Sequence, residues 1–156
     1  SEYSLSTRFP ELGLLQKTKK LETAFIAFSP VGRGLLTDKP PTPERVKESP
    51  FLKVNPRFLE PNLSENIKAV KDFQKLAKDY GLSTAGLAIA WLIAKDEHII
   101  PIPGTRSTIH LKEMIKGTEK NLTQTDIDEI EKTLPVGWAH GDRYSDIQWI
   151  GPEKYC

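Results

Sequence analysis

A chain of 156 residues is long enough for one domain with an apolar core. Its 22 Lys and Arg stand against 21 Asp and Glu, so no net basic field exists to attract nucleic acid. The longest apolar stretch, 86–94, is too short to span a bilayer, the first residues do not read as a signal peptide, and 28% charged residues argue against general disorder.

Residues 1–5 (SEYSL) alternate as a strand does. Pro10 suits a first helical position, where its missing N–H has no partner to lose, so a helix is expected over 11–20 with Leu12 and Leu15 on one side. AFIAF at 24–28 is a continuous apolar run, the pattern of a strand covered on both faces. SPVGRG at 29–34 marks a turn. Residues 35–63 hold half of the twelve prolines and read as a long lid or linker, with Phe51 and Phe58 packing onto something. Ile67, Val70, Phe73, Ala77 and Tyr80 recur at helical spacing, predicting an amphipathic helix over 64–80 ended by Gly81. Ser83 caps a helix over 84–95 that is apolar nearly all round, hence buried between layers. A strand over 98–102, a helix over 107–117 and a last helix over 124–134 follow, the last opened by a Thr123–Asp126 capping box. The tail, 135–156, reads as irregular, with Trp138, Tyr144 and Trp149 as anchors.

This alternation of strands and helices predicts an α/β protein with a parallel sheet. Three strands would leave two open edges, which pair or aggregate, so the pattern reads as part of a larger sheet or barrel. The chain opens at Ser1 directly on strand-like residues and has Met114 as its only methionine, which reads as a fragment. The one cysteine, Cys156, permits no intramolecular disulfide or cysteine-rich zinc site and suits a reducing, cytoplasmic compartment.

Ligands of α/β folds gather beyond the carboxyl ends of strands. Two segments have suitable residues there. In SPVGRG, Gly32 and Gly34 let backbone N–H groups approach a ligand and Ser29 adds a hydroxyl; a plain surface turn with Arg33 in solvent is the alternative. In GTRST, the strand stops at Gly104 and a helix N-terminus follows, which favours an anion. Arg106 can fork onto a phosphate while Thr105 and Ser107 add hydroxyls; equally, Ser107 caps the helix and Arg106 points into water. His110 lies one turn into that helix, on a side able to face a bound anion. His98 reads as structural, and His140 as a neighbour of a local Asp142, Arg143, Asp146 charge network. Neither a nucleophilic triad nor metal-ligand spacing is found.

SEYSLSTRFPE, FIAFSPVGRGLLTD, IIPIPGTRSTIHLKE and GDRYSDIQW, in this order, resemble consecutive blocks of the aldo/keto reductase family. The resemblance implies that 1–156 is the C-terminal portion, strands six to eight with the following helices, of an incomplete (β/α)8 TIM barrel. It implies an oxidoreductase that passes hydride between NADP(H) and a small-molecule aldehyde or ketone. By resemblance, Phe28 stacks on the nicotinamide, and Ser29, Val31, Gly32 and Arg33 surround the pyrophosphate. Gly104, Thr105, Arg106 and Ser107 clamp the 2′-phosphate, with His110 where many members place an arginine. Glu113 accepts from the adenine amino group; Met114 replaces the usual Asn and offers packing only. The family's catalytic Asp, Tyr, Lys and His precede this segment. Tyr3 reads as a core residue. Turnover by this chain alone is therefore not expected, and the other readings are a noncatalytic nucleotide-binding remnant, an inert fragment, or a chain that pairs with the missing half-barrel or itself.

Overall fold

A computed structural model describes residues 1–150; Cys156 lies outside the described residues. Two strands, β1 (Phe25–Phe28) and β2 (Ile99–Ile102), pair in parallel with Phe25 opposite Ile99 and Phe28 opposite Ile102. The helices are α1 (Leu14–Lys20), α2 (Pro43–Glu48), α3 (Asn62–Asp79), α4 (Thr84–Lys95), α5 (Thr108–Thr118) and α6 (Gln124–Thr133).

The α/β class holds, but only two of the three expected strands form among the described residues. Residues 1–5 contribute single bridges, Glu2 with Phe28 and Ser4 with Thr7. The cause is local: Ser4 and Thr7 exchange both backbone hydrogen bonds, at 3.1 and 3.0 Å, and this tight turn pulls the chain off the sheet after one paired residue. Tyr3 is fully buried against Phe25 and Trp91, a core residue as read from the sequence.

The helix expected over 11–20 is broken. A 3-10 turn covers Phe9–Leu12, and Gly13 at φ +142° separates it from α1, leaving Leu12 85% exposed. That backbone angle is open to glycine and unfavourable to other residues. Nor is 35–63 structureless. Thr42 caps α2 by accepting from the Arg45 amide, and short 3-10 turns occupy Leu52–Val54 and Pro56–Phe58.

α3 buries Leu63, Val70, Phe73 and Ala77, and Gly81, at φ +70°, follows its end. α4 is buried from Thr84 to Leu92, and its first turn is closed by Ser83 accepting from the Gly86 amide at 3.0 Å. The Thr123–Asp126 capping box opens α6. α4 crosses α5 closely enough that a Cβ on Gly117 would lie 2.1 Å from the Gly86 carbonyl oxygen. This contact sets where α5 begins relative to β2.

One sheet face, with Phe25, Ala27 and Ile99, packs into the core. The other does not: Ile26, Ile100 and Ile102 are 43, 47 and 51% exposed. The expectation of a β1 covered on both faces therefore fails, because no second layer lies against it in the described residues. Both strands run the same way, so the turns after Phe28 and Ile102 leave from one end of the sheet.

Candidate functional site

After β1 the chain enters a left-handed turn, with Ser29, Gly32, Arg33 and Gly34 at φ +52, +58, +58 and +92°. The Gly32 amide donates to the Ser29 carbonyl and that of Gly34 to Val31, at 2.9 and 3.2 Å. These two amides are consumed within the turn and do not themselves reach for a ligand. Gly32 is required for closeness as well: a Cβ there would meet Ser6 Oγ at 2.9 Å.

After β2, Gly104 and Thr105 lead to Ser107, whose hydroxyl oxygen caps α5 by accepting from the His110 amide at 3.3 Å. Thr105 Oγ1 accepts from the Ser107 amide at 3.1 Å, bending the backbone into the helix. Thr105 Oγ1 also donates to the Ser107 carbonyl at 3.4 Å. His110 and Glu113, three residues apart, share a helix face.

The two turns border one cavity of about 710 Å³. Of the residues singled out in the sequence, Ser29, Val31, Arg33, Gly34, Gly104, Thr105, His110, Glu113 and Met114 line it. Phe28, Gly32, Arg106 and Ser107 do not. Phe28 ends β1 on the same side as the uncovered Ile26, and Gly32 is buried in the turn. Arg106 is exposed, and no group among the described residues pairs with its guanidinium. Met114 is 5% exposed and packs with Ala85 and Ile89.

Lys39 and Arg45, missed in the sequence, also line the cavity. They come from the proline-rich 35–63 stretch, where no strand-end or glycine signal marks them. Asp38 holds this stretch in place by accepting from the Thr84 amide at the start of α4, at 3.0 Å. Ser29 and Thr105 hydroxyls, the Lys39 and Arg45 cations and the His110 imidazole make a donor set for phosphate, while Glu113 supplies an acceptor for an amino group. These residues fit a phosphate-bearing nucleotide.

Arg33 is not solvated in the way a plain surface turn implies. Its Nη2 donates to Glu2 at 2.6 Å, and Glu2 is 1% exposed. Arg57 and Arg143 also approach Glu2, each at 3.8 Å. Burial, together with the neighbouring guanidiniums of Arg33 and Arg143, pushes the Arg57 guanidinium down to about 10 despite Glu2. Arg143 thus joins a buried cluster around Glu2, while its backbone amide donates to Asp142 at 2.7 Å. His140 itself is held through its backbone by Asn66, at 2.7 and 3.0 Å. His98 is structural, bonded to Asp96 and Thr18 at 2.9 and 3.1 Å.

No helix among the described residues is long and apolar enough to cross a membrane. The chain is 28% identical over 144 residues to "Aldo-keto reductase yakc [NADP(+)]" of Schizosaccharomyces pombe, covering 92% of this chain and 42% of that protein. It is 34% identical over 143 residues to "Probable aldo-keto reductase 1" of Glycine max, covering 92% and 41%. It thus spans about two-fifths of these relatives' length. Among solved structures, the glycerol dehydrogenase of Gluconobacter oxydans superposes with a TM-score of 0.69 at 22% identity, over 85% of this chain and 40% of that one. An aldo-keto reductase from Klebsiella pneumoniae, solved in complex with NADPH, gives 0.60 at 18%, over 86% and 38%. These two likenesses speak for the fold. The sequence model described as the aldo/keto reductase family matches residues 1–135, and the chain belongs to that family.

Proposed function

We propose that residues 1–156 are the NADP(H)-binding, C-terminal portion of an aldo/keto reductase barrel that reduces an aldehyde or ketone or oxidises the corresponding alcohol. The observation that carries this reading is the convergence of the two strand-end turns on one cavity with Lys39 and Arg45 in its wall. The NADP(+) in the fission-yeast relative's name and the NADPH held by the Klebsiella enzyme support it.

In this reading Ser29, Val31, Gly32 and Arg33 form the turn beside the pyrophosphate, with Lys39 and Arg45 adding charge. Gly104, Thr105, Arg106, Ser107 and His110 face the 2′-phosphate, and Glu113 accepts from the adenine amino group. Phe28, on the uncovered side of the sheet, meets the nicotinamide. When bound, the cofactor supplies the hydride. The chain's own residues hold and orient it; the proton-transferring Asp, Tyr, Lys and His come from the part of the family fold outside 1–156. That remainder, pairing with the bare sheet face, completes the site for a small carbonyl substrate, in a cytoplasmic setting.

The test is fluorescence titration with NADPH and NADH, followed by a carbonyl-reduction assay. Saturable binding that favours NADPH, without turnover by this chain, supports the assignment. Turnover by the chain alone would place the acid–base residues inside it, and no binding would leave the cavity without a nucleotide role.

A further inference from the structure

Arg33 borders the cavity, yet its donors point elsewhere. Nη2 donates to the buried Glu2 at 2.6 Å, and Nη1 donates to the carbonyl of Arg143. The guanidinium carbon lies 5.0 Å from the ring centroid of Phe51 and 4.3 Å from that of Tyr144, in the corner of these two rings, which meet edge-to-face at 89°. Asn55 Nδ2 reaches the same Arg143 carbonyl at 2.7 Å, and Gln148 Nε2 donates to the Phe51 carbonyl at 3.0 Å. Three segments distant in sequence, the 29–34 turn, residues 51–55 and residues 141–149, therefore meet on one side chain.

Chemistry explains why the side chain is arginine. A guanidinium can sit against two rings that meet edge-to-face and still donate through its fixed fork to a carboxylate and a carbonyl. A lysine ammonium cannot do both. Glu2 is nearly inaccessible, so losing its closest cation leaves a desolvated charge with only the Thr7 hydroxyl at 3.0 Å and two guanidiniums at 3.8 Å.

We infer that Arg33 is a positioning residue whose guanidinium ties the 141–149 segment to the turn walling the cavity, so that the turn's conformation and the seating of that segment are coupled. The tie itself needs no ligand. Its effect on nucleotide affinity rests on the cofactor reading above, and by linkage a ligand that steadies the turn also steadies the segment.

Arg143 supplies the readout. It is 1% exposed, so trypsin can cut after it only when the segment opens. In the full chain carrying Arg33→Ala or Arg33→Lys, cleavage after Arg143 should rise roughly tenfold or more, since a buried pair is broken, while cleavage after the exposed Lys120 changes little. Tyr144→Ala removes the nearer of the two rings against the guanidinium and should open the same bond by roughly threefold. Tyr144 is outside the cavity lining, yet Tyr144→Ala should also weaken NADPH and inorganic pyrophosphate by a few-fold.

Unchanged cleavage after Arg143 in Arg33→Ala overturns the inference. So does lost probe affinity with the segment still closed, which would make Arg33 a direct anion ligand. If Arg33→Ala loosens the whole chain, with Lys120 cut equally fast, Tyr144→Ala decides: selective opening supports the tie and none refutes it. Failure of the wild-type chain to bind NADPH would count against the cofactor reading while leaving the proteolytic result intact.

Discussion

Arg106 illustrates how a residue's partners define its part. The buried arginines beside the first turn are engaged, Arg33 bonding Glu2 with Arg57 and Arg143 near the same carboxylate, and Arg45 on the cavity wall lies 3.6 Å from Glu48. Arg106 stands exposed beside the α5 N-terminus with no partner among the described residues, available to an incoming dianion. Arg106→Ala should cost about 1.5–3 kcal/mol of NADPH binding, the range for a charge-assisted hydrogen bond. This is roughly ten- to more than a hundredfold in affinity, with NADH little affected. Titration of both cofactors against a complete barrel carrying this segment checks it, and equal losses for the two would remove Arg106 from the 2′-phosphate. A second residue-scale case is Asp96, which accepts from Lys19 at 2.6 Å and from His98. These bonds lower its carboxyl to about 2. A carboxyl depressed in the folded state contributes stability that is whole above its unfolded value and fades as pH falls through its folded one. The stability gap between wild type and Asp96→Asn should therefore narrow as pH drops from about 5 to about 2.5, measured by urea unfolding.

At the scale of elements, the contact between α4 and α5 aims the candidate site. α4 carries no side chain at Gly86 and α5 none at Gly117, so their backbones touch, and this approach sets where His110 and Glu113 face the cavity. Gly117→Ala would put a Cβ 2.1 Å from a main-chain oxygen that no side-chain rotation relieves. We expect a loss of about 3 kcal/mol or more, at the upper end for overpacking, and a weaker NADPH response even in molecules that remain folded. Chemical denaturation and cofactor titration together read this; an unperturbed melt would mean that the helices slide apart easily. Element ends were largely legible in the sequence. Ser83, Ser107 and Thr123 each cap the helix their position predicts, because capping is settled by a few adjacent atoms. The break at Gly13 was not legible, since a lone glycine permits a positive φ without requiring one.

Over the whole molecule, the sheet decides what the chain does alone. Ile26, Ile100 and Ile102 present apolar surface on a face that no described element covers. β2 pairs only with β1 among the described strands, which leaves its other edge open. We expect the isolated chain to bind an apolar dye, to associate with rising concentration and to melt broadly. Mixing with the preceding portion of an aldo/keto reductase should suppress all three. Sedimentation velocity and calorimetry test this, and a sharp monomeric melt of the chain alone would contradict it.

What the sequence determined by itself is local or directly patterned: the buried α4, the amphipathic α3, the helix caps, the strand cores and the family blocks. Each depends on near neighbours or on apolar periodicity. Only the tertiary structure decided that 1–5 turns away from the sheet, that Lys39 and Arg45 join the cavity wall, and that Arg33 faces a buried carboxylate and two rings. Those outcomes depend on which distant segments arrive at one place, and a side chain's partners there carry no signature in the residues beside it.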